Sequence, residues 1–412
     1  MSQPSAARAW AVTFAGTGIN LCLGVLYAWS VYALAMQQQW GWSKTMTSIP
    51  YSICALVFAL LMIPAGRMLD RMGPRIVEII AAACAGVGMV ISGVTANFAG
   101  VVIGFGILAG AAMGFGYAAP TPTAVKWFQP HMKGQISGLV VAGYGLAAMI
   151  WAPVTTALVK SMGIRQAFIV EGIIFLAVIA ILGLVLAPPP PGHVPFGGPP
   201  PARATAQGTV AQRDFSPGEM VKTFQFWSLL IMFALASSAG LMIIGHLATI
   251  SVVQGGIKWG YVLVAVLAVA NAGGRILAGW LSDRLGRTNT MLLVFAIQAV
   301  NMFLFSTYKT GGTLLTGSIL TGIAYGALLS LFPSATWDFF GLKNAGINYG
   351  LVFLGWGIGA QLGPIIAGRA IDLTKSYHLA YIIAGILLIV AAVLAVVTKP
   401  PKAVTVEEVA RA

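Results

Sequence analysis

The chain has 412 residues, 58% of them hydrophobic and 8% charged, with a formal net charge of +13 and a mean hydropathy of +0.89. That balance excludes a water-soluble globular domain, whose surface needs far more polar side chain, and makes lipid the solvent. The basic residues are scattered over short loops rather than gathered on one patch, which excludes nucleic acid as a partner.

Apolar runs of roughly 20 residues recur at the length needed to cross a bilayer, and strand-like alternation is absent, so the spanning elements are predicted to be helices. The first run begins at Trp10, after Arg8; it is too long for a removable signal peptide and lacks a small-residue cleavage site. Helices are expected near 10–36, 46–69, 75–96, 99–123, 134–159 and 167–187, then near 226–253, 260–281, 290–307, 313–336, 347–371 and 380–398. Cys22, Cys54 and Cys84 fall inside these runs without metal-site spacing and read as small core residues. The 50 glycines suit helices that pack closely and slide past one another.

The predicted fold is an all-α membrane protein of twelve transmembrane helices in two pseudo-symmetric six-helix bundles, 1–187 and 223–399. A proline-rich linker at 188–222 joins them, and a tail at 400–412 follows. The linker opens with four consecutive prolines and reads as an extended spacer without specific contacts. With both termini cytoplasmic, loops on that side hold 15 lysines and arginines against 7 on the other, which sets the orientation. The location expected is the plasma membrane.

Laying the second half over the first at an offset of about 212 residues brings motifs into register. GRMLDRMGPR (66–75) matches GWLSDRLGR (279–287), GLVVAGYGLAAMIWAP (138–153) matches GLVFLGWGIGAQLGP (350–364), and GAAMGFGYAAP at Gly110 more weakly matches GIAYGALLSLFP at Gly322. Parallel six-helix halves of this kind are the plan of carriers that rock around a central site. The doubled G-x-x-x-D-R-x-G pattern, between helices two and three and again between eight and nine, resembles the signature of the major facilitator superfamily over the whole chain. Gly73 and Gly286 allow the tight turn, and Asp70 and Asp283 can face helix N-termini of the opposite half. The resemblance makes this loop a gate, with Gly66, Arg67, Asp70, Arg71, Gly73, Asp283, Arg284 and Gly286 as gating residues; fixed loop structure is the alternative.

A charge inside the bilayer costs about 3 kcal/mol even on lenient scales, so each needs a reason. Arg275, eight residues before Asp283, is read as the one deep charge, the ten acids being placed in loops or near helix ends. Asn271 lies one turn away on the same face, with Gly273 and Gly274 leaving space. A guanidinium matches a carboxylate through two parallel hydrogen bonds, so an anionic substrate can be its partner; bonding to helix carbonyls is the alternative. Tyr27, Tyr117, Tyr144, Tyr325 and Tyr381 lie at comparable depth, and Trp356 takes the position of Tyr144 in the second half; each suits a cavity wall or plain helix packing. His246 is the other ionisable group that can face the cavity, as a proton carrier or as a packed neutral ring. Lys44 is expected to snorkel to the interface.

Within the superfamily, ANAGGRILAGWLSDRLGR, VLYAWSVY (25–32) and NYGLVFLGWG (348–357) resemble the monocarboxylate transporter and oxalate:formate antiporter branch. The resemblance implies that Arg275 binds the substrate carboxylate and that Tyr27, Tyr117, Tyr144 and Tyr325 take aromatic cavity positions; Asn271, Leu26, Trp356 and Tyr381 complete the expected substrate site. Trp356 stands where oxalate exchangers carry a lysine, so one cation remains for one carboxylate. Asn271 stands where animal lactate carriers place an aspartate.

The expected function is secondary transport of a small monocarboxylate such as lactate or pyruvate, with protons, by a monomer in the lipid bilayer. No enzymatic activity, cofactor or metal is expected. The proton rides on His246 or on the substrate itself. An anion exchanger is the alternative; a non-transporting carboxylate sensor would need a signalling domain that neither tail nor linker offers.

Overall fold

The computed structural model describes residues 6–129, 132–190, 193–197, 214–341 and 344–401; the middle of the linker and the tail from 402 lie outside the described residues. Eleven runs are long and apolar enough to cross a membrane. One of them, within Lys133–Val185, breaks at Gly163 (φ 83°, ψ 164°), a backbone conformation open to glycine, and so supplies two helices. The described residues therefore hold twelve: α1 (Ala6–Trp40), α2 (Lys44–Met72), α3 (Pro74–Thr95), α4 (Phe98–Val125), α5 (133–162), α6 (164–185), α7 (Phe224–Gly255), α8 (Gly260–Leu285), α9 (Arg287–Phe305), α10 (Gly311–Phe340), α11 (Ala345–Thr374) and α12 (His378–Val397).

The internal repeat is visible in how the helices pair. In the first half α1 packs on α5, α2 on α4 and α3 on α6; in the second α7 packs on α11, α8 on α10 and α9 on α12. Glycines permit equivalent close approaches at equivalent positions. A Cβ at Gly143 would lie 2.3 Å from the Thr17 carbonyl, and one at Gly355 would lie 2.3 Å from the Leu230 carbonyl. The turns after α2 and α8 also coincide. Gly73 (φ 79°, ψ 166°) donates to Leu69 O and Gly286 (φ 85°, ψ 158°) to Ser282 O, each at 3.0 Å. Large apolar side chains such as Ile276, 77% exposed, and Leu373, 82% exposed, cover the perimeter, as lipid requires.

The halves meet through α2 against α11, α5 against α8 and α1 against α7. The end of the helices nearest residue 6 is called here the terminal side, and the opposite end the far side. At the far end α2 and α11 are in tight contact: a Cβ at Gly368 would lie 2.8 Å from Ser48 Oγ and 2.9 Å from Thr45 Cα. Farther along, a Cβ at Gly350 would have only Ile63 at 3.5 Å, and one at Gly66 would meet nothing within 4 Å; Gly138 of α5 and Gly279 of α8 are equally open. The halves therefore close at the far side and part toward the terminal side.

The described ends of the linker are docked, which corrects the expectation of a contact-free spacer. Gln129 N donates to Phe196 O at 2.8 Å and Phe196 N to Trp127 O at 2.9 Å, while Trp127 Nε1 donates to Ala187 O. On the second half Phe215 N donates to Phe340 O, and Asn344 and Asn348 both donate to Phe215 O. A single turn, Pro217–Met220, follows with a Ser216–Glu219 capping box. Sequence periodicity misses such contacts because they are made by backbone groups in an extended segment.

Candidate functional site

The site begins in α1, where the ladder tightens to a 3-10 stretch at Gly24–Ala28 before α-helix resumes at Trp29. A Cβ at Gly24 would lie 2.4 Å from Ala147 Cβ and 2.5 Å from the Tyr144 carbonyl, so the stretch presses directly on α5. Leu26 and Tyr27 lie in it, both buried. From there Tyr27 meets Tyr144 edge to face at 5.2 Å and Tyr325 at 5.8 Å, with the two hydroxyls of Tyr27 and Tyr325 3.2 Å apart. Trp356 Nε1 donates to the Tyr325 hydroxyl at 2.7 Å, and Tyr117 lies edge to face on Tyr144 at 5.4 Å. Five helices of the two halves thus deliver aromatic side chains to one cluster.

Arg275 reaches the cluster from α8. Its Nε donates to Asn271 Oδ1 at 3.3 Å and its Nη1 to the Val141 carbonyl of α5 at 3.3 Å. A Cβ at Gly145 would be 3.6 Å from the guanidinium carbon, so that glycine opens the space through which Arg275 crosses to the other half. Among the described residues no carboxylate pairs with it. The Asn271 amide nitrogen is buried without a hydrogen-bond partner, an uncommon cost for a native structure. A cation with no carboxylate partner among the described residues, a spare amide donor and a wall of aromatic rings thus lie together, the chemistry that a small anion with an apolar part would match.

Sequence reasoning missed several members of this wall. Phe58 of α2 contacts Tyr117, Tyr144, Phe353 and Trp356 at 5.4–5.9 Å, and Phe353 stacks on Trp356 at 5.0 Å. Phenylalanines in apolar helices carry no polar tip that marks them, although Phe58 occupies the α2 position that corresponds in the repeat to Asn271. Tyr349 joins through Phe353 at 5.7 Å.

Two expected site residues, Tyr381 for substrate and His246 for the proton, lie elsewhere. Tyr381 donates to Gln254 Oε1 at 3.1 Å and packs on Phe305 and Tyr377, so the structure does not bring it to Arg275. Depth read from residue count gave no direction around the helix. His246 lies in the far-side closure. Its Nε2 is 3.0 Å from Pro364 O, which can only accept, and 2.9 Å from Ser48 Oγ, while Nδ1 faces the Tyr377 hydroxyl at 3.1 Å. Next to it, Pro364 lacks an N–H, so the Ala360 carbonyl is released and accepts from Ser52 Oγ of the other half at 2.7 Å.

The expectation that all acids lie in loops or near helix ends is corrected at Glu171. It sits within α6, fully buried, and its carboxylate accepts from the Tyr32 hydroxyl and, at 2.7 Å, from Thr155 Oγ1. Arg275 is therefore not the one deep ionisable group. Of the proposed gate, Gly73 and Gly286 form the paired turns, Gly66 is open, Arg67 and Arg71 are exposed, and Arg284 lies over the Trp280 ring at 3.9 Å. The Asp70 and Asp283 side chains lie outside the described residues. Lys44 is half-buried, and its backbone N–H donates to Asp372.

The comparisons agree with this architecture. The chain is 29% identical over 384 residues to the oxalate:formate antiporter of Oxalobacter formigenes, covering 92% of this chain and 88% of that one. It is 28% identical over 362 residues to YhjX, an uncharacterized MFS-type transporter of Escherichia coli K12, covering 85% of each. It is 25% identical over 409 residues to human monocarboxylate transporter 11, covering 94% and 82%. A bacterial homolog of the human lysosomal transporter Spinster, solved inward-facing and unoccupied, shares the fold with a TM-score of 0.70 at 17% identity, covering 95% of this chain and 97% of that one. The family model of the Major Facilitator Superfamily matches residues 11–313 and 262–411, so with its two six-helix halves, paired turns and central site this chain belongs to that superfamily of membrane transporters.

Proposed function

We propose that the chain carries small monocarboxylates such as lactate and pyruvate across the plasma membrane together with a proton, by alternating access, with the substrate carboxylate held on Arg275. The observation that carries this reading is a guanidinium at the junction of the halves with no carboxylate partner among the described residues, beside the unpartnered Asn271 amide. Trp356 is neutral and its indole N–H donates to Tyr325, so it supplies no second cation there, which fits one carboxylate rather than two. With both termini cytoplasmic, the parting of the halves faces the cytoplasm and the closure faces outward. The paired loops at Gly73 and Gly286 form the gate on the parted side. Proton symport makes the crossing electroneutral, so a membrane voltage worth about 2.3 kcal/mol per charge per 100 mV does not oppose anion entry.

Exchange of anions is the second reading, favoured by the similarity to an oxalate:formate antiporter over 92% of the chain. Uptake of labelled L-lactate into proteoliposomes, with and without an inward proton gradient, separates the two. Gradient-driven uptake that Arg275→Ala abolishes is the expected result. Flux that needs internal anion and ignores the gradient supports exchange, and lactate flux that survives Arg275→Ala sinks the assignment of the carboxylate to this arginine.

A further inference from the structure

A carrier that moves a proton apart from its substrate needs a group to hold it, and Arg275 does not release its own. His246 is engaged on both ring nitrogens in the contact between the halves. Among the described residues two acids are fully buried within spanning helices, Glu78 of α3 and Glu171 of α6. They differ in surroundings. Neither oxygen of Glu78 has a hydrogen-bond partner. Glu171 has a hydroxyl at each oxygen: Tyr32 of α1 at one, Thr155 of α5 at the other. Hydroxyls both donate and accept, so the carboxylate can take a hydrogen bond from each, and the protonated acid can give one back. No rearrangement beyond the rotation of O–H bonds is required. Ionisable side chains at such positions in membrane carriers mark proton relays.

The position couples Glu171 to both the site and the closure. Tyr32 lies five residues after Tyr27 on α1, beyond the end of the 3-10 stretch at Ala28, which is roughly 7 Å along the axis. Its ring stacks on Phe168 at 5.0 Å and on Trp29 at 6.0 Å. Trp29 in turn donates to the Thr47 carbonyl of α2 at 2.9 Å, one residue from the Ser48 that meets His246. A change of hydrogen-bond direction at Tyr32 therefore acts on the segment of α1 that joins the aromatic cluster to the far-side contacts. No charged group is paired with Glu171 among the described residues. Arg165, at the start of α6, donates to Gly93 O and Val94 O, and Glu78 lies against Gly183, twelve residues farther along α6. Met89 and Gly86 of α3, which pack at Gly172, do not titrate.

Resting on the carboxylate-transport reading above, we infer that Glu171 is the proton-binding site of this carrier: one oxygen of its carboxylate takes a proton from one side and releases it on the other. Only an O–H bond forms and breaks.

The test has a readout that needs no substrate. Infrared difference spectra of the purified protein in liposomes, recorded across a pH titration, are expected to show the carbonyl stretch of a protonated carboxylic acid rising and falling with pH. The band should persist in Glu78→Gln, vanish in Glu171→Gln, and return shifted in Glu171→Asp. In transport, Glu171→Gln is expected to lose gradient-driven accumulation by more than about tenfold while still exchanging labelled for unlabelled substrate. A titrating band that survives Glu171→Gln, or accumulation equal to the native chain's, overturns the proposal. If no monocarboxylate is carried by the native protein, the infrared titration still decides the proton site, and the transport reading alone fails. Retention on size-exclusion chromatography, with partial recovery in Glu171→Asp, separates a lost proton site from a lost fold.

Discussion

The Tyr325 hydroxyl is the residue-scale link between the two halves. It accepts from Trp356 Nε1 at 2.7 Å and shares a hydrogen with the Tyr27 hydroxyl at 3.2 Å, in surroundings where all three side chains are at most 2% exposed. Water cannot easily take its place there. Removing it leaves an indole N–H and a phenol without their partner, and each buried polar group so stranded costs about 1–3 kcal/mol. Tyr325→Phe is therefore expected to lower thermal stability in detergent and to weaken substrate affinity by several-fold, while keeping the ring contacts of the wall. Unchanged melting and unchanged KM would show that the hydroxyl contributes nothing to the junction. The aromatic residues with polar tips were legible in the sequence as a group. Their directions were not, because a residue's depth along a helix does not say which neighbour it meets; Tyr27 and Tyr381 look alike by count and lie on different networks.

At the scale of the element, the precision of the site depends on how closely α8 approaches α10. A Cβ at Gly326 would lie 2.0 Å from the Asn271 carbonyl oxygen and 2.8 Å from its carbonyl carbon, distances that backbone cannot yield to without moving. One methyl group must push α8 away from α10, and Asn271 and Arg275 move with it. Overpacking of this kind costs about 1–3 kcal/mol, and Gly326→Ala is expected to reduce transport by about tenfold or more. Gly273 of α8 provides the contrast, since a Cβ there meets nothing within 4 Å. Gly273→Ala is expected to keep transport near the native level. Equal effects of the two substitutions would mean that helix propensity, not close approach, sets the outcome.

The helices themselves were legible because a run of apolar residues long enough to span a bilayer has few alternatives. The break at Gly163 between α5 and α6 was also legible, as the polar residues Lys160 and Arg165 bracket it. Glu171 was lost to the same averaging that found the helix: one acid among apolar neighbours leaves the run reading as a span. Its partners, Tyr32 and Thr155, are 139 and 16 residues away, and no local pattern connects them.

For the whole molecule, the doubled motifs announced two related halves, but the state in which those halves stand is a balance of contacts that no local motif encodes. Among the described residues, the hydrogen bonds between halves lie at the middle or the far side. Asp372 near the end of α11 supplies two of them. Its two oxygens accept from the backbone N–H groups of Lys44, at 3.1 Å, and Thr45, at 2.8 Å, the first residues of α2 in the other half. A carboxylate there satisfies two N–H groups that the helix leaves open and faces the positive end of its dipole. When the far side opens, α2 and α11 must separate and both bonds are lost. Charge-assisted pairs of this kind contribute about 1–3 kcal/mol, so Asp372→Ala is expected to shift the balance toward far-side opening by roughly 5- to 150-fold. Ser43 still caps α2 through Met46 N, so the helix itself survives the substitution. Spin labels at Met162 and Lys258, exposed at the far side of the first and second halves, report the separation as a distance distribution. A new, longer population in Asp372→Ala is the expected outcome. An unchanged distribution would mean that the Ser48–His246 and Ser52–Ala360 contacts hold the far side closed by themselves, and that Asp372 is a cap rather than a clasp.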